Sequence, residues 1–364
     1  MQFSEAKVYA HPRFTVTKHR IPATIRRSQI ETNRKPRMPQ VIPATDHRFI
    51  WSGAISTDVK EGTVMPWRIS YQEKTLFDEN LVMRAAMPAG VRLSFRSNTT
   101  SISGQCDAFK DRSNIDIVVN GKLADSTETD NKTSFHFDNL GSEMKDIELW
   151  MPQFGEIRFS SLSFDDNAET LKPSESSTKK WITYGSSITQ CRTADSPTKT
   201  WPAIVARSRG YDFTCLGFGG QCHIDPMVAR LIRDREADLI SLCLGINIHS
   251  GSLNQRTFRP GILGFVQIVR EKHPTTPITL ISPIFSPDRE DTPNVVGFTL
   301  KQMRVEVKKA ARTLQEYGDK NIHYINGLDV FDSENAHLLP DNLHPNNEGY
   351  GIMADNLLRL LPNV

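Results

Sequence analysis

Trp181-Ile182-Thr183-Tyr184-Gly185-Ser186-Ser187-Ile188-Thr189 is the stretch that decides how the C-terminal half of this chain is read. Residues of strand character run directly into a small Gly-Ser-Ser turn. Working outward, apolar runs of strand length recur at 212–216, 239–244, 278–284 and 322–325. Segments with helical periodicity separate them, at 201–209, 226–235, 260–272 and 297–317. In the last of these, Phe298, Leu300, Met303, Val307, Ala310, Ala311 and Leu314 follow an i, i+3, i+4 stripe, and Gly318 is placed to cap it. Strand–helix alternation sustained over ~180 residues predicts an α/β domain with a doubly wound parallel sheet. Ligand sites in such sheets form at the carboxyl ends of the strands, which directs attention to the turns that follow them.

The preceding half has a different period. Val91-Arg92-Leu93-Ser94-Phe95-Arg96 alternates apolar and polar, as a strand with one buried face must. Asn114-Ile115-Asp116-Ile117-Val118-Val119 is followed by Asn120-Gly121, a tight-turn signal. Residues 147–151 and 156–159 continue the pattern. Many short strands predict an antiparallel, jelly-roll-like β-sandwich over 46–166. Residues 167–180 carry Pro173, several serines and charges, and read as a linker to a domain spanning 181–364. So short a linker places the sandwich against the following domain, where it helps to shape the cleft.

Residues 1–45 carry nine Lys/Arg against two Asp/Glu. Without an aromatic-rich basic motif they read as a solvated or domain-wrapping extension, not as a nucleic-acid arm. The whole chain is 38% hydrophobic and 24% charged, which excludes a disordered class. A formal net charge of +2 gives no reason to expect a polyanionic partner. No apolar run approaches the ~20 residues of a membrane span, and the N-terminal residues show no secretory apolar core. The five cysteines lack CxxC spacing and are expected to be buried free thiols, which fits a cytoplasmic location. Cys215, Cys222 and His223 do not have the spacing of a structural zinc site.

Four short blocks carry chemistry. Ser187 lies in the turn after the first α/β strand, ahead of a helix N-terminus whose backbone N–H groups face a developing oxyanion. Gly219 and Gly220 follow the second strand, and Gly245-Ile246-Asn247 follows the third. A glycine offers an accessible backbone N–H and an asparagine offers an amide donor, both of which suit an oxyanion hole. Asp341-Asn342-Leu343-His344 sets a carboxylate three residues before an imidazole. Such a carboxylate holds the imidazole's tautomer while the other ring nitrogen takes a proton from a hydroxyl. Taken singly, each block is also an ordinary helix cap, βα turn or Asx turn.

In this order the four blocks resemble those of the SGNH hydrolases, the GDSL esterases, over about residues 180–362. The resemblance implies a flavodoxin-like catalytic domain that hydrolyses a carboxylic ester through an acyl-enzyme. It implies Ser187 as nucleophile, with Asp341 and His344 completing the triad. Ser187, Gly220 and Asn247 would then form the oxyanion hole, with Gly219 as the register alternative. His223 and His249, with Gly219, are candidates for the substrate pocket, and Asp225 lies near them. Trp201 and Phe218 read as core. Three positions depart from the pattern: Ser186 replaces the usual Asp, Cys215 a frequent Asn, and Ile248 a frequent Asp. None of these removes a proton-transfer or oxyanion group. The strand-rich half resembles, more loosely, the sandwich ahead of such domains in carbohydrate acetyl esterases and some acyltransferases.

No metal or organic cofactor is needed, and no P-loop, GxGxxG or HExxH pattern is found. The expected partner is a small-molecule or carbohydrate ester, with no nucleic acid. An acyltransferase would use the same triad with an alcohol in place of water. A carbohydrate-binding protein with a decayed second domain is the non-enzymatic alternative. The sequence gives no oligomeric state.

Overall fold

The computed structural model describes residues 39–174 and 178–364. The basic extension up to residue 38 lies outside the described residues. The second half contains a five-stranded parallel sheet in the order Asp212–Gly217, Lys180–Gly185, Leu239–Cys243, Ile278–Ile281, Ile322–Ile325. That 2-1-3-4-5 order is the flavodoxin-like one, with its reversal beside the first strand. Helices Trp201–Arg209, Pro226–Arg233, Gln255–Arg270, Leu300–Glu316 and Asn347–Leu360 flank it. The strands are buried on both faces: Ile182, Tyr184, Leu216, Ile240, Leu242, Ile278 and Leu280 on one, and Trp181, Phe213, Leu239 and Ile281 on the other. This explains why they read as apolar runs and not as alternating ones.

The first half forms two six-stranded antiparallel sheets. One runs Ser56–Lys60, Thr63–Trp67, Phe159–Phe164, Ile102–Cys106, Ser134–Phe137, with Gln40–Pro43 also on Phe159–Phe164. The other runs Thr170–Leu171, Arg92–Ser97, Lys145–Trp150, Ile115–Val119, Lys122–Thr127, with Ile50–Ser52 also on Arg92–Ser97. Their inner faces share one core that includes Leu93, Phe95, Ile117, Phe137, Leu149 and Phe159.

Several local boundaries differ from those read in the sequence. Gln40–Pro43, assigned to the extension, is a strand paired with Phe159–Phe164. Thr170–Leu171, assigned to the linker, is an edge strand on Arg92–Ser97. Residues 156–158 precede their strand, which begins at Phe159. The helix expected from Pro260 starts five residues earlier, at Gln255. There the Asn254 side chain accepts from the Arg256 and Thr257 N–H groups and overrides the signal of Pro260. A helix at Glu79–Ala85, capped by Asp78, was not anticipated among the strands.

The described residues from 39 to 364 belong to one compact unit. Apolar clusters cross between the halves. Met65, Trp67, Leu81 and Ala85 pack with Leu216 and Phe218, while Val118 and Trp150 pack with Trp181 and Phe213. Burying a side chain as large as Trp150 contributes roughly 1.5–3 kcal/mol or more. Polar contacts fix the angle of approach. The Arg68 guanidinium is fully buried and donates to the carbonyls of Met87, Arg84, Cys215 and Gly217. Asp116 Oδ2 accepts from Ser196 Oγ at 2.6 Å and from the Thr198 N–H at 2.9 Å.

Candidate active site

The strand Lys180–Gly185 ends at Gly185, and Ser186 caps the short helix Ser187–Gln190 by accepting from the Ile188 N–H at 3.2 Å. Ser187 is the first helical residue, so its N–H has no intrahelical acceptor and its side chain is half-buried at the strand end. The turn is tight because it lies against the second strand. A Cβ on Gly217 would stand 2.4 Å from the Gln190 amide nitrogen, so no other residue fits there.

His344 reaches this turn from the other end of the domain. Its Nε2 lies 2.8 Å from Ser187 Oγ and its Nδ1 lies 2.6 Å from Asp341 Oδ2. Asp341 Oδ1 accepts from the backbone N–H groups of Leu343 (3.1 Å) and His344 (2.7 Å). Burial pushes the Asp341 carboxyl up, but the hydrogen bonds from His344 and Leu343 outweigh it, and the net pKa lies below the ordinary carboxylate value. An ionised carboxylate only accepts, so Nδ1 carries the ring proton. Nε2 is then the acceptor for the serine hydroxyl. The loop is held from both sides. Ser286 Oγ donates to the Asn342 carbonyl at 2.7 Å, and Thr193 Oγ1 donates to the Pro345 carbonyl at 2.8 Å. Beneath Ser286, Glu290 is paired with the buried Arg304.

The two glycines differ in what their N–H groups do. The Gly219 N–H donates to Gln190 Oε1 at 2.8 Å and is therefore engaged. Among the described residues no acceptor takes the Gly220 N–H. Gly220 has φ +75°, a conformation that favours glycine. Asn247 follows the third strand, and its Oδ1 accepts from the Cys222 N–H at 2.9 Å. That bond settles the amide orientation and leaves Nδ2 as the donor.

The pocket candidates separate. His223 Nε2 lies 2.9 Å from the Gly220 carbonyl and Nδ1 lies 2.7 Å from Ser252 Oγ, so this ring braces the glycine turn. His249 Nε2 is 3.1 Å from the Thr292 carbonyl, and among the described residues no hydrogen bond joins it to Ser187, Asp341 or His344. Asp225 sits at the start of the helix Pro226–Arg233, and burial raises its pKa. Trp201 and Phe218 are fully buried. All five cysteines are free; burial pushes the Cys243 thiol up to about 12. Among the described residues no group of His, Cys, Asp and Glu is arranged to hold a metal ion.

Residues that the motif reading missed surround the turn. Gln190 Nε2 donates to the Gln153 carbonyl at 3.1 Å, while its Oε1 holds Gly219. Gln153 Nε2 donates in turn to the Ala194 carbonyl at 2.8 Å. Arg84 Nε donates to the Gly219 carbonyl at 3.1 Å. Gln190 lies one helical turn beyond Ser187 and was findable from that spacing. Arg84 and Gln153 come from the sandwich half, and nothing local to the motifs points to them.

The comparisons with known proteins bear on the family and the fold. A family model described as GDSL-like Lipase/Acylhydrolase matches residues 178–362, and one described as the SsfX3 N-terminal domain matches 49–159. Among solved structures, the salicylyl-acyltransferase SsfX3 from a tetracycline biosynthetic pathway is 34% identical. It superposes with a TM-score of 0.83 over 88% of this chain and 96% of that one. A Bacteroides ovatus ATCC 8483 protein described as a GDSL-like lipase is 21% identical, with a TM-score of 0.70 over 87% and 95%. A family two carbohydrate esterase from Cellvibrio japonicus shares the fold at 15% identity, with a TM-score of 0.64 over 88% and 96%. No curated protein sequence matches the chain. The chain is an enzyme of the SGNH type and belongs to the GDSL-like lipase/acylhydrolase family.

Proposed function

We propose that this chain is a serine esterase that cleaves a carboxylic ester through an acyl-enzyme on Ser187. The observation that carries the reading is the unbroken line Ser187 Oγ–His344–Asp341, at 2.8 and 2.6 Å. His344 Nε2 takes the hydroxyl proton as Ser187 Oγ attacks the ester carbonyl carbon. The carbonyl π electrons move to oxygen, and the resulting oxyanion is held by the N–H groups of Ser187 and Gly220 and by Asn247 Nδ2. Collapse re-forms the carbonyl and expels the alkoxide, which leaves as alcohol with the proton from His344. Water then repeats the sequence on the acyl-enzyme and releases the acid. Asp341 remains ionised throughout and stabilises the imidazolium.

A fluorophosphonate probe tests this. It should label the wild-type chain at Ser187, located by peptide mass spectrometry, and leave Ser187→Ala unlabelled. Labelling of Ser187→Ala would refute the assignment.

A second reading is an acyltransferase in which an alcohol intercepts the acyl-enzyme. The similarity to the salicylyl-acyltransferase over both halves favours it. Transfer differs from hydrolysis only in how well water is excluded during deacylation. Product identity when a candidate alcohol competes with water separates the two. A small-molecule or carbohydrate ester is the proposed substrate, and the five free thiols support a cytoplasmic setting. Among the described residues no helix is long and apolar enough to cross a membrane.

A further inference from the structure

One wall of the site is supplied by the sandwich half and carries charge that no carboxylate among the described residues neutralises. Arg84 closes the helix Glu79–Ala85 and touches Gly219. A Cβ built on Gly219 would stand 3.6 Å from Arg84 Nε and 3.7 Å from Ser187 Cβ, so the guanidinium and the nucleophile flank the same small residue. Arg192 comes from the segment just after the nucleophile helix. Its neighbour Thr193 is bonded to Pro345, the residue following His344. The two guanidinium carbons lie 5.6 and 4.0 Å from the centroid of a single ring, that of Phe154.

Several other packed arginines spend their donors on the protein: Arg68 and Arg209 each donate to three or more backbone carbonyls. Arg92, Arg112, Arg158, Arg270 and Arg304 each pair with a carboxylate. Among the described residues no carboxylate pairs with Arg84 or Arg192, and no protein acceptor takes Arg84 Nη2 or any Arg192 nitrogen. Burial lowers the pKa of Arg84, and Arg192 lowers it further. Stacking on Phe154 orients the two cations, but it leaves their in-plane donors open. Unspent guanidinium donors beside a reacting centre suit a carboxylate or phosphate, which they bind through charge-assisted hydrogen bonds.

We propose that Arg84 and Arg192, held on Phe154, form an oxyanion-recognition subsite, and that the ester this enzyme cleaves carries a carboxylate or phosphate group. The inference rests on the acyl-enzyme reading at Ser187. Matched substrate pairs test it and locate the anion. 4-Nitrophenyl hemisuccinate against its methyl ester puts the charge on the acyl side. 4-Acetoxybenzoate against its methyl ester puts it on the alcohol side. 4-Acetoxyphenyl phosphate against its dimethyl ester asks the same with phosphate.

In at least one pair the charged member should have a kcat/KM about tenfold or more above its neutral partner at low salt. The ratio should fall toward one in Arg192→Gln. It should also fall in 1 M salt, where the screening length is about 3 Å. Arg192 is exposed and, apart from its contact with Phe154, has no hydrogen bond or ion pair among the described residues, so Arg192→Gln should unfold close to the wild-type Tm. Ratios at or below one in all three pairs, or a preference that Arg192→Gln leaves intact, would overturn the subsite. If no ester is turned over and Ser187 takes no probe, the acyl-enzyme reading fails instead.

Discussion

Asn247 offers the sharpest test of the site, because its two amide atoms have separate tasks. Oδ1 accepts from the Cys222 N–H at 2.9 Å, which is a structural bond. Nδ2 is the proposed oxyanion donor. Asn247→Ala removes both. Losing one oxyanion donor costs about 2.7–4 kcal/mol in the transition state, so kcat should fall by roughly 10²–10³ with a smaller change in KM. The orphaned Cys222 N–H should also cost about 1–3 kcal/mol of stability. Asn247→Asp separates the two effects. Its carboxylate still accepts from Cys222, so the denaturation midpoint should stay close to wild type. The donor, however, has become a negative charge facing another. At a separation of about 4 Å and an effective dielectric of about 20, that repulsion is about 4 kcal/mol. The Asp variant should therefore be at least as inactive as the Ala variant while being the more stable of the two. Steady-state kinetics on a 4-nitrophenyl ester and urea denaturation read both quantities. An Asp variant within about threefold of the wild-type kcat would refute the donor role. A change confined to KM in the Ala variant would make Asn247 a substrate-binding residue.

Further outcomes follow from the same geometry. Ser186→Ala should keep probe labelling but lose about 1 kcal/mol of stability, since its hydroxyl caps the nucleophile helix; loss of labelling would mean that the register is wrong. Asp341→Asn removes the counter-charge of the imidazolium. The plateau of kcat/KM should drop by about 10⁴, because the ring loses its orienting acceptor; an unchanged plateau would show that Asp341 does not hold the ring. In the wild type the Asp341 pKa is lowered on folding. Its stabilising contribution is thus present above the ordinary carboxylate range and fades as pH falls through the lowered value, which acid denaturation of wild type against Asp341→Asn should show. Arg68→Met leaves buried carbonyls without donors and should cost at least about 3 kcal/mol in urea unfolding, and a smaller loss would show that water replaces the guanidinium. Iodoacetamide should leave Cys191, Cys215 and Cys222 unmodified until the protein unfolds, because burial raises all three thiols; modification of the native protein, read by mass spectrometry, would contradict their burial.

The parallel sheet and its order of strands and helices were legible in the sequence, because each depends on local pattern, whereas Ser187, Asn247, Asp341 and His344 were singled out by the resemblance of four ordered blocks. Apolar runs of strand length, helical stripes and small turns are written over a few adjacent residues. Boundaries were less legible where a cap competes with another signal, as where Asn254 starts a helix five residues ahead of Pro260. Strands at the margins, Gln40–Pro43 and Thr170–Leu171, carry too few residues to show a period, and only their pairing partners define them. Two things belonged to tertiary structure alone. Which glycine N–H stays open was decided by Gln190, whose side chain occupies Gly219 and leaves Gly220. Of the two cations set on the ring of Phe154, Arg84 lies far from Ser187 in the chain, as Phe154 itself does. A motif records residues that share a turn. Contacts between a sandwich and a distant sheet are set by how two buried faces dock, and no local spacing encodes that.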